Sequence, residues 1–201
     1  MGSALDRRPW LITLTASLAA LAVIALAFQV GAEQVEQWRL AARWTARVGF
    51  PIFIVAYIAS SLYRLWPHPG SRVLLRRRRW WGLGFAATHT VHLFALVTFL
   101  RVSGETRPLS VYLVAGFGYV LLYAMALTST DAAQRALGRN WKRLHTLGIH
   151  WLWFIFFVSY LGRTMEPGKM AEGYVGTTVA LLALGLRMAA RFRRRAEPLA
   201  A

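Results

Sequence analysis

Residues 76–100 read RRRRWWGLGFAATHTVHLFALVTFL. Four arginines stop at two tryptophans, and an uncharged run then continues to Leu100. A helix rising about 1.5 Å per residue needs about 20 apolar residues to cross roughly 30 Å of hydrocarbon. This run is long enough, and it carries His89 and His92 in its interior. The basic cluster before it has the form of a topology signal, and Trp80 and Trp81 suit a headgroup boundary. Five other windows are also long enough, so the predicted spans are 10–30, 44–63, 80–100, 109–128, 144–161 and 173–190. The expected fold is an all-α integral membrane protein. It would be a six-helix transmembrane bundle formed by a single transmembrane domain over residues 1–201.

Composition supports that reading and removes others. Of the 201 residues, 57% are hydrophobic, more than a soluble domain of this length carries. There is no cysteine, which excludes disulfides, thiolate metal sites, iron–sulfur clusters and thiol nucleophiles. The net charge of +16 taken alone suggests nucleic acid. The cations, however, lie in short clusters between apolar runs and form no basic face on a soluble fold, so no nucleic-acid partner is expected. The first run resembles a signal peptide core but is longer and lacks a clear small-x-small closing site, so it reads as a retained span. The linkers are short, the longest being residues 65–79 and 129–143, and Pro67-His68-Pro69-Gly70 marks a turn.

Alternate linkers differ in charge. Most of the 24 Lys and Arg residues fall on one side: Arg7, Arg8, Arg64, Arg72, Arg76 to Arg79, Arg135, Arg139, Lys142, Arg143, Arg187, Arg191 and Arg193 to Arg195. Glu33, Glu36, Glu105, Glu166 and Glu172 fall on the other. The positive-inside rule puts both termini in the cytoplasm. Pro51 and Arg47 in the second span are tolerable where neighbouring helices cover the freed backbone, and Arg187 near the end of the sixth can snorkel.

The histidines carry the chemistry. An imidazole at membrane depth must find a partner. His89 and His92 are three residues apart and share roughly one helical face. His92 lies about 18 Å from Trp80 along the helix, too deep for so short a side chain to reach water. The fifth span holds His145 and His150. At 3.6 residues per turn, about 140° beyond a full turn separates them, so they cannot both face one partner squarely. His89 and His150 start at comparable depth from the same side and are able to face one another. Each histidine also has a plainer reading. A buried imidazole can simply bond a hydroxyl or carbonyl on the next helix, His145 can sit at the interface, and His150 can join a packing layer with Trp151 and Trp153. His68, in the turn, has no expected role.

No carboxylate sits inside a span to complete a zinc or non-haem iron site. A haem needs only two axial ligands from the protein, which suits a site built from histidine. Its propionates would seek cations, which Arg76 to Arg79 supply, although topology control explains that run equally well.

The stretch Arg78-Arg79-Trp80-Trp81-Gly82-Leu83-Gly84-Phe85-Ala86-Ala87-Thr88-His89-Thr90-Val91-His92 resembles the third helix of the ferric reductase-like transmembrane domain family. It is closest to the MsrQ branch, the haem-binding membrane subunits of bacterial methionine sulfoxide reductase systems. Leu127-Thr128-Ser129-Thr130, then Leu137-Gly138-Arg139-Asn140-Trp141-Lys142-Arg143-Leu144-His145, resembles the family's fourth linker and its Trp-x-x-Leu-His signature. The likeness runs from about Arg76 to Gly162. It implies haem b, one or two, held between the third and fifth spans, with His92 and His145 as ligands and Arg78 facing an inner haem. The family pattern has a further histidine where this chain has Val158 and Ser159. His89 and His150 are the possible replacements.

The resemblance also implies electron transfer across the bacterial inner membrane. The donor would be a cytoplasmic flavin reductase or a quinol, and the acceptor an extracytoplasmic reductase. No G-x-G-x-x-G motif follows a strand, so no nucleotide-binding domain is expected in this chain. Two other functions remain open: a transporter or channel with a histidine proton relay, and a membrane anchor subunit that binds nothing. Intramembrane hydrolysis lacks its carboxylates or metal set.

Overall fold

The computed structural model describes residues 8–196, and Arg7, counted above among the cytoplasmic cations, lies outside them. Among the described residues there are seven helices and no strand: α1 (Leu11–Val30), α2 (Gln34–Leu65), α3 (Pro69–Ser103), α4 (Leu109–Leu127), α5 (Asp131–Leu137), α6 (Arg139–Arg163) and α7 (Met170–Ala196). Six are long and apolar enough to cross a membrane. The protein is all-α and of the multi-pass membrane type.

The burial pattern of α1 identifies its solvent. Ile12, Ala16, Ala20 and Ala27 form its buried stripe, whereas Leu14, Leu18, Leu21 and Leu26 are exposed. Apart from Ile12 the buried positions are alanine, and the leucines named lie outside, the reverse of a water-soluble helix. Lipid tails are as apolar as leucine, so small residues are used where backbones must approach. Ala16 meets α3 at Gly84, where an added Cβ would lie 3.2 Å from the alanine Cβ. Thr13 Oγ1 donates to the Trp80 carbonyl at 3.1 Å, and Thr88 Oγ1 donates to Ala16 at 3.4 Å and to Gly84 at 2.8 Å.

Four helices run past the expected spans. α2 has 32 residues and passes unbroken through Pro51, and α3 has 35. Residues 69–79, expected as part of a linker, are the first turns of α3. Pro69 stands at the first helical position, where a missing N–H costs nothing. His68 caps the helix: its Nδ1 accepts from the Gly70 N–H at 3.2 Å, and Ser71 Oγ accepts from the His68 N–H at 3.0 Å. The polar linker 129–143 also holds a helix, α5. Thr130 Oγ1 caps it, accepting from the Ala133 N–H at 3.1 Å, and Gly138 at φ +50° separates it from α6.

Two compact units result. One comprises the chain up to Ala56 together with Arg77–Val111, and the other comprises Tyr57–Arg76 and the chain from Tyr112 onward. Helices α2 and α3 contribute to both, because a helix of their length spans about 50 Å and meets different neighbours at its two ends. In the first unit Ala27, Ala41, Ala42, Ala95 and Phe99 form a core flanked by Trp38, Trp44 and Leu96. In the second, Gly148 admits Met125, Gly118 admits Ile155, and Gly176 admits the ring of Tyr160.

Candidate functional site

In the first unit α3 turns His92 and His89 toward α2. His92 Nδ1 lies 3.0 Å from the Ala42 carbonyl and 3.1 Å from Thr45 Oγ1. A carbonyl can only accept, so Nδ1 carries the ring proton. Thr45 Oγ1 donates to the Ala41 carbonyl at 2.7 Å, which leaves its lone pairs toward the imidazole. In the neutral ring Nε2 then keeps its lone pair. This is the arrangement of a metal-ligating histidine, whose second nitrogen is fixed by a backbone carbonyl.

His89 lies one turn earlier on the same face and is 8% exposed. Its ring is 4.1 Å from that of Phe85 and 5.3 Å from that of His92. On the α2 side it occupies the space that a side chain at residue 49 would take: a Cβ on Gly49 would stand 2.5 Å from His89 Nδ1. The ring is therefore wedged between Phe85 and bare α2 backbone. Arg78 begins the same apolar stretch, about 21 Å from His92 along the axis at the helical rise. It is half-buried, and α3 does not bring it beside either histidine.

In the second unit His150 meets α2 at Tyr57. The Tyr57 hydroxyl is 3.2 Å from His150 Nδ1, and the two rings stand edge to face at 5.7 Å. In the tautomer in which Nδ1 donates to the phenol oxygen, Nε2 again keeps its lone pair. Trp151 and Trp153 do not form a layer with it. Their indole N–H groups donate to Val114 at 3.1 Å and Ala180 at 2.9 Å, on other helices.

His145 is directed differently. Its Nε2 is 3.3 Å from Thr128 Oγ1, and its ring stacks on Trp141 at 4.0 Å. Thr128 Oγ1 donates to the Ala124 carbonyl at 2.6 Å and so offers the imidazole an acceptor. The nitrogen that would bind iron is the one engaged by the threonine. His145 and His150 have different partners, as their five-residue separation requires. His68 caps α3 and is exposed.

No family model and no solved structure matches this chain.

The residues present fit an axial ligand of haem at His92 and, in one tautomer, at His150. His145 would first have to leave Thr128, and His89 is enclosed by packing. Among the described residues no group of three or more His, Asp or Glu side chains is arranged to hold a metal ion without such a cofactor. Sequence reasoning gave no role to Thr45, Tyr57 or Gly49, and quoted Thr128 only as part of a motif. The available signal was a hydroxyl or a glycine inside an apolar window, which many spans contain. It also placed Arg187 as a snorkelling cation. Instead its Nη1 donates to the Tyr57 carbonyl at 2.7 Å, and its guanidinium lies 4.4 Å from the Tyr57 ring centroid.

Proposed function

We propose that this chain binds haem b, that His92 in the first unit and His150 in the second would each hold such a group within its own unit, and that the chain passes electrons across the membrane as a member of the ferric reductase-like transmembrane group. The observation that carries the reading is the Nδ1 proton of His92 held on the Ala42 carbonyl inside a membrane-length helix. It fixes the tautomer that presents Nε2 to a metal.

Bound haem supplies a one-electron ferric/ferrous couple; the chain supplies the rest. Ala42 and Thr45 hold the His92 ring in one rotamer and one tautomer. Tyr57 does the same for His150. The apolar helices keep water from the imidazoles, where a low dielectric strengthens every polar contact. The basic linkers orient the chain with both termini in the cytoplasm of a bacterium, its inner membrane being the compartment. Electrons enter from a cytoplasmic flavin reductase or a quinol and leave to an extracytoplasmic reductase.

The test is an absorption spectrum of detergent-purified protein expressed with ample haem, oxidised and then reduced with dithionite. A Soret band with sharp α and β bands is expected. His92→Ala loses most of the haem, whereas His89→Ala keeps it. Well-folded material that is colourless, or full haem retention in His92→Ala, refutes the assignment.

A further inference from the structure

One end of the second unit concentrates cations on α2 and α7. Arg187 lies within a membrane-length segment and is half-buried against α2, its Nη1 on the Tyr57 carbonyl and its plane over the Tyr57 ring. Arg64 on α2 lies close enough to act electrostatically on Arg187. Arg191, one turn further along α7, acts together with Arg187 on His150. Arg193 ties the same two helix ends together, donating to the Leu65 carbonyl at 2.9 Å. Among the described residues the ion pairs form elsewhere, at Glu36, Glu105, Glu166 and Glu172. Arg64 and Arg187 thus repel each other, Arg191 follows Arg187 by one helical turn, and none of the three takes part in those ion pairs.

Such a group is expensive in a membrane protein. A guanidinium within a span is costly unless it is paired, and a like charge nearby adds to that cost. An anion seated among the three removes both penalties. The guanidinium fork matches a phosphate bidentately. Arg187 spends one donor on Tyr57, and the rest of its five remain. Stacking on the phenol ring fixes the plane in which those donors point, so little freedom is lost on binding. Arg64 and Arg191 are exposed beside it. The bilayer itself offers a phosphate at that depth, and basic pockets between transmembrane helices are recurrent headgroup sites.

We propose that Arg64, Arg187 and Arg191 form a binding site for the phosphate of an anionic phospholipid at the basic end of α2 and α7. The site requires that the chain spans a membrane and does not require that it binds haem.

The test uses the full chain purified in detergent, with bound lipid counted by native mass spectrometry during titration with phosphatidylglycerol, phosphatidylcholine or inorganic phosphate. Phosphatidylglycerol is expected to bind at least about fivefold more tightly than phosphatidylcholine, given the contribution of one basic residue near a membrane surface. The double variant Arg64→Gln/Arg191→Gln, with both positions exposed, should erase that preference while leaving helicity unchanged. Arg187→Lys, which keeps the charge but not the fork, should weaken binding less than Arg187→Gln. Equal binding of the two lipids, or an undiminished preference in the exposed double variant, overturns the proposal. Displacement by millimolar phosphate assigns the site to a free anion and overturns the lipid. Loss of phosphatidylglycerol on saturation with haem assigns the cations to the propionates and overturns it equally.

Discussion

Replacing Gly49 by alanine tests the packing of His89 most directly. The new Cβ would stand 2.5 Å from His89 Nδ1, about 1 Å inside ordinary van der Waals contact. The imidazole has little room to retreat. It is 8% exposed, with Phe85 at 4.1 Å and His92 at 5.3 Å behind it. Overpacking of this kind costs about 1–3 kcal/mol, and the tight enclosure argues for the upper end. Against it stands the gain of about 1 kcal/mol from replacing a helical glycine by alanine. The expected net destabilisation is about 2 kcal/mol. In a His89→Ala background the clash vanishes, and the same substitution should stabilise by about 1 kcal/mol. The sign therefore reverses, and the coupling is about 3 kcal/mol, well outside the error of additivity for independent sites. The assay is reversible unfolding in mixed micelles for the wild-type protein, both single variants and the double variant. Equal effects of Gly49→Ala in the two backgrounds would refute the wedge of His89 against α2.

Thr45→Val keeps the side-chain volume and removes the hydroxyl that accepts from His92. Loss of such an outer partner costs about 10–100-fold in metal affinity, so haem should titrate more weakly with little change in folding, as read by Soret absorbance. Tyr57→Phe removes the hydroxyl beside His150 Nδ1. It should destabilise by about 1 kcal/mol and lower haem retention, while a His150→Ala background abolishes both effects. Thr130→Ala deletes the cap of α5 and should cost about 1 kcal/mol of local stability, visible as faster hydrogen exchange in residues 131–137 and not in α6.

Much of the architecture is written locally. Hydropathy over a window sums residue by residue, so all six membrane-length helices were legible, and α1 and α4 match the expected spans to within a residue or so at each end. Helix ends were less legible. Hydropathy falls at the lipid boundary, but backbone hydrogen bonding continues through good helix formers such as arginine, so α2, α3, α6 and α7 outrun their apolar cores. Helix α5 was missed because its seven residues, all polar or small except Leu137, bury nothing and carry no period; only the Thr130 cap and Gly138 mark it. The five-residue step from His145 to His150 did predict that they diverge, since helical geometry alone requires it.

The chain order of residues thus fixed which histidines lie at membrane depth and on which helix each one sits. What each imidazole does with its two nitrogens was decided by the tertiary structure. Ala42 and Thr45 meet His92 from 50 and 47 residues away, and Tyr57 meets His150 from 93 residues away. A tautomer is set by whichever donor or acceptor lies within about 3 Å, and such proximity between distant segments has no period for a sequence to display.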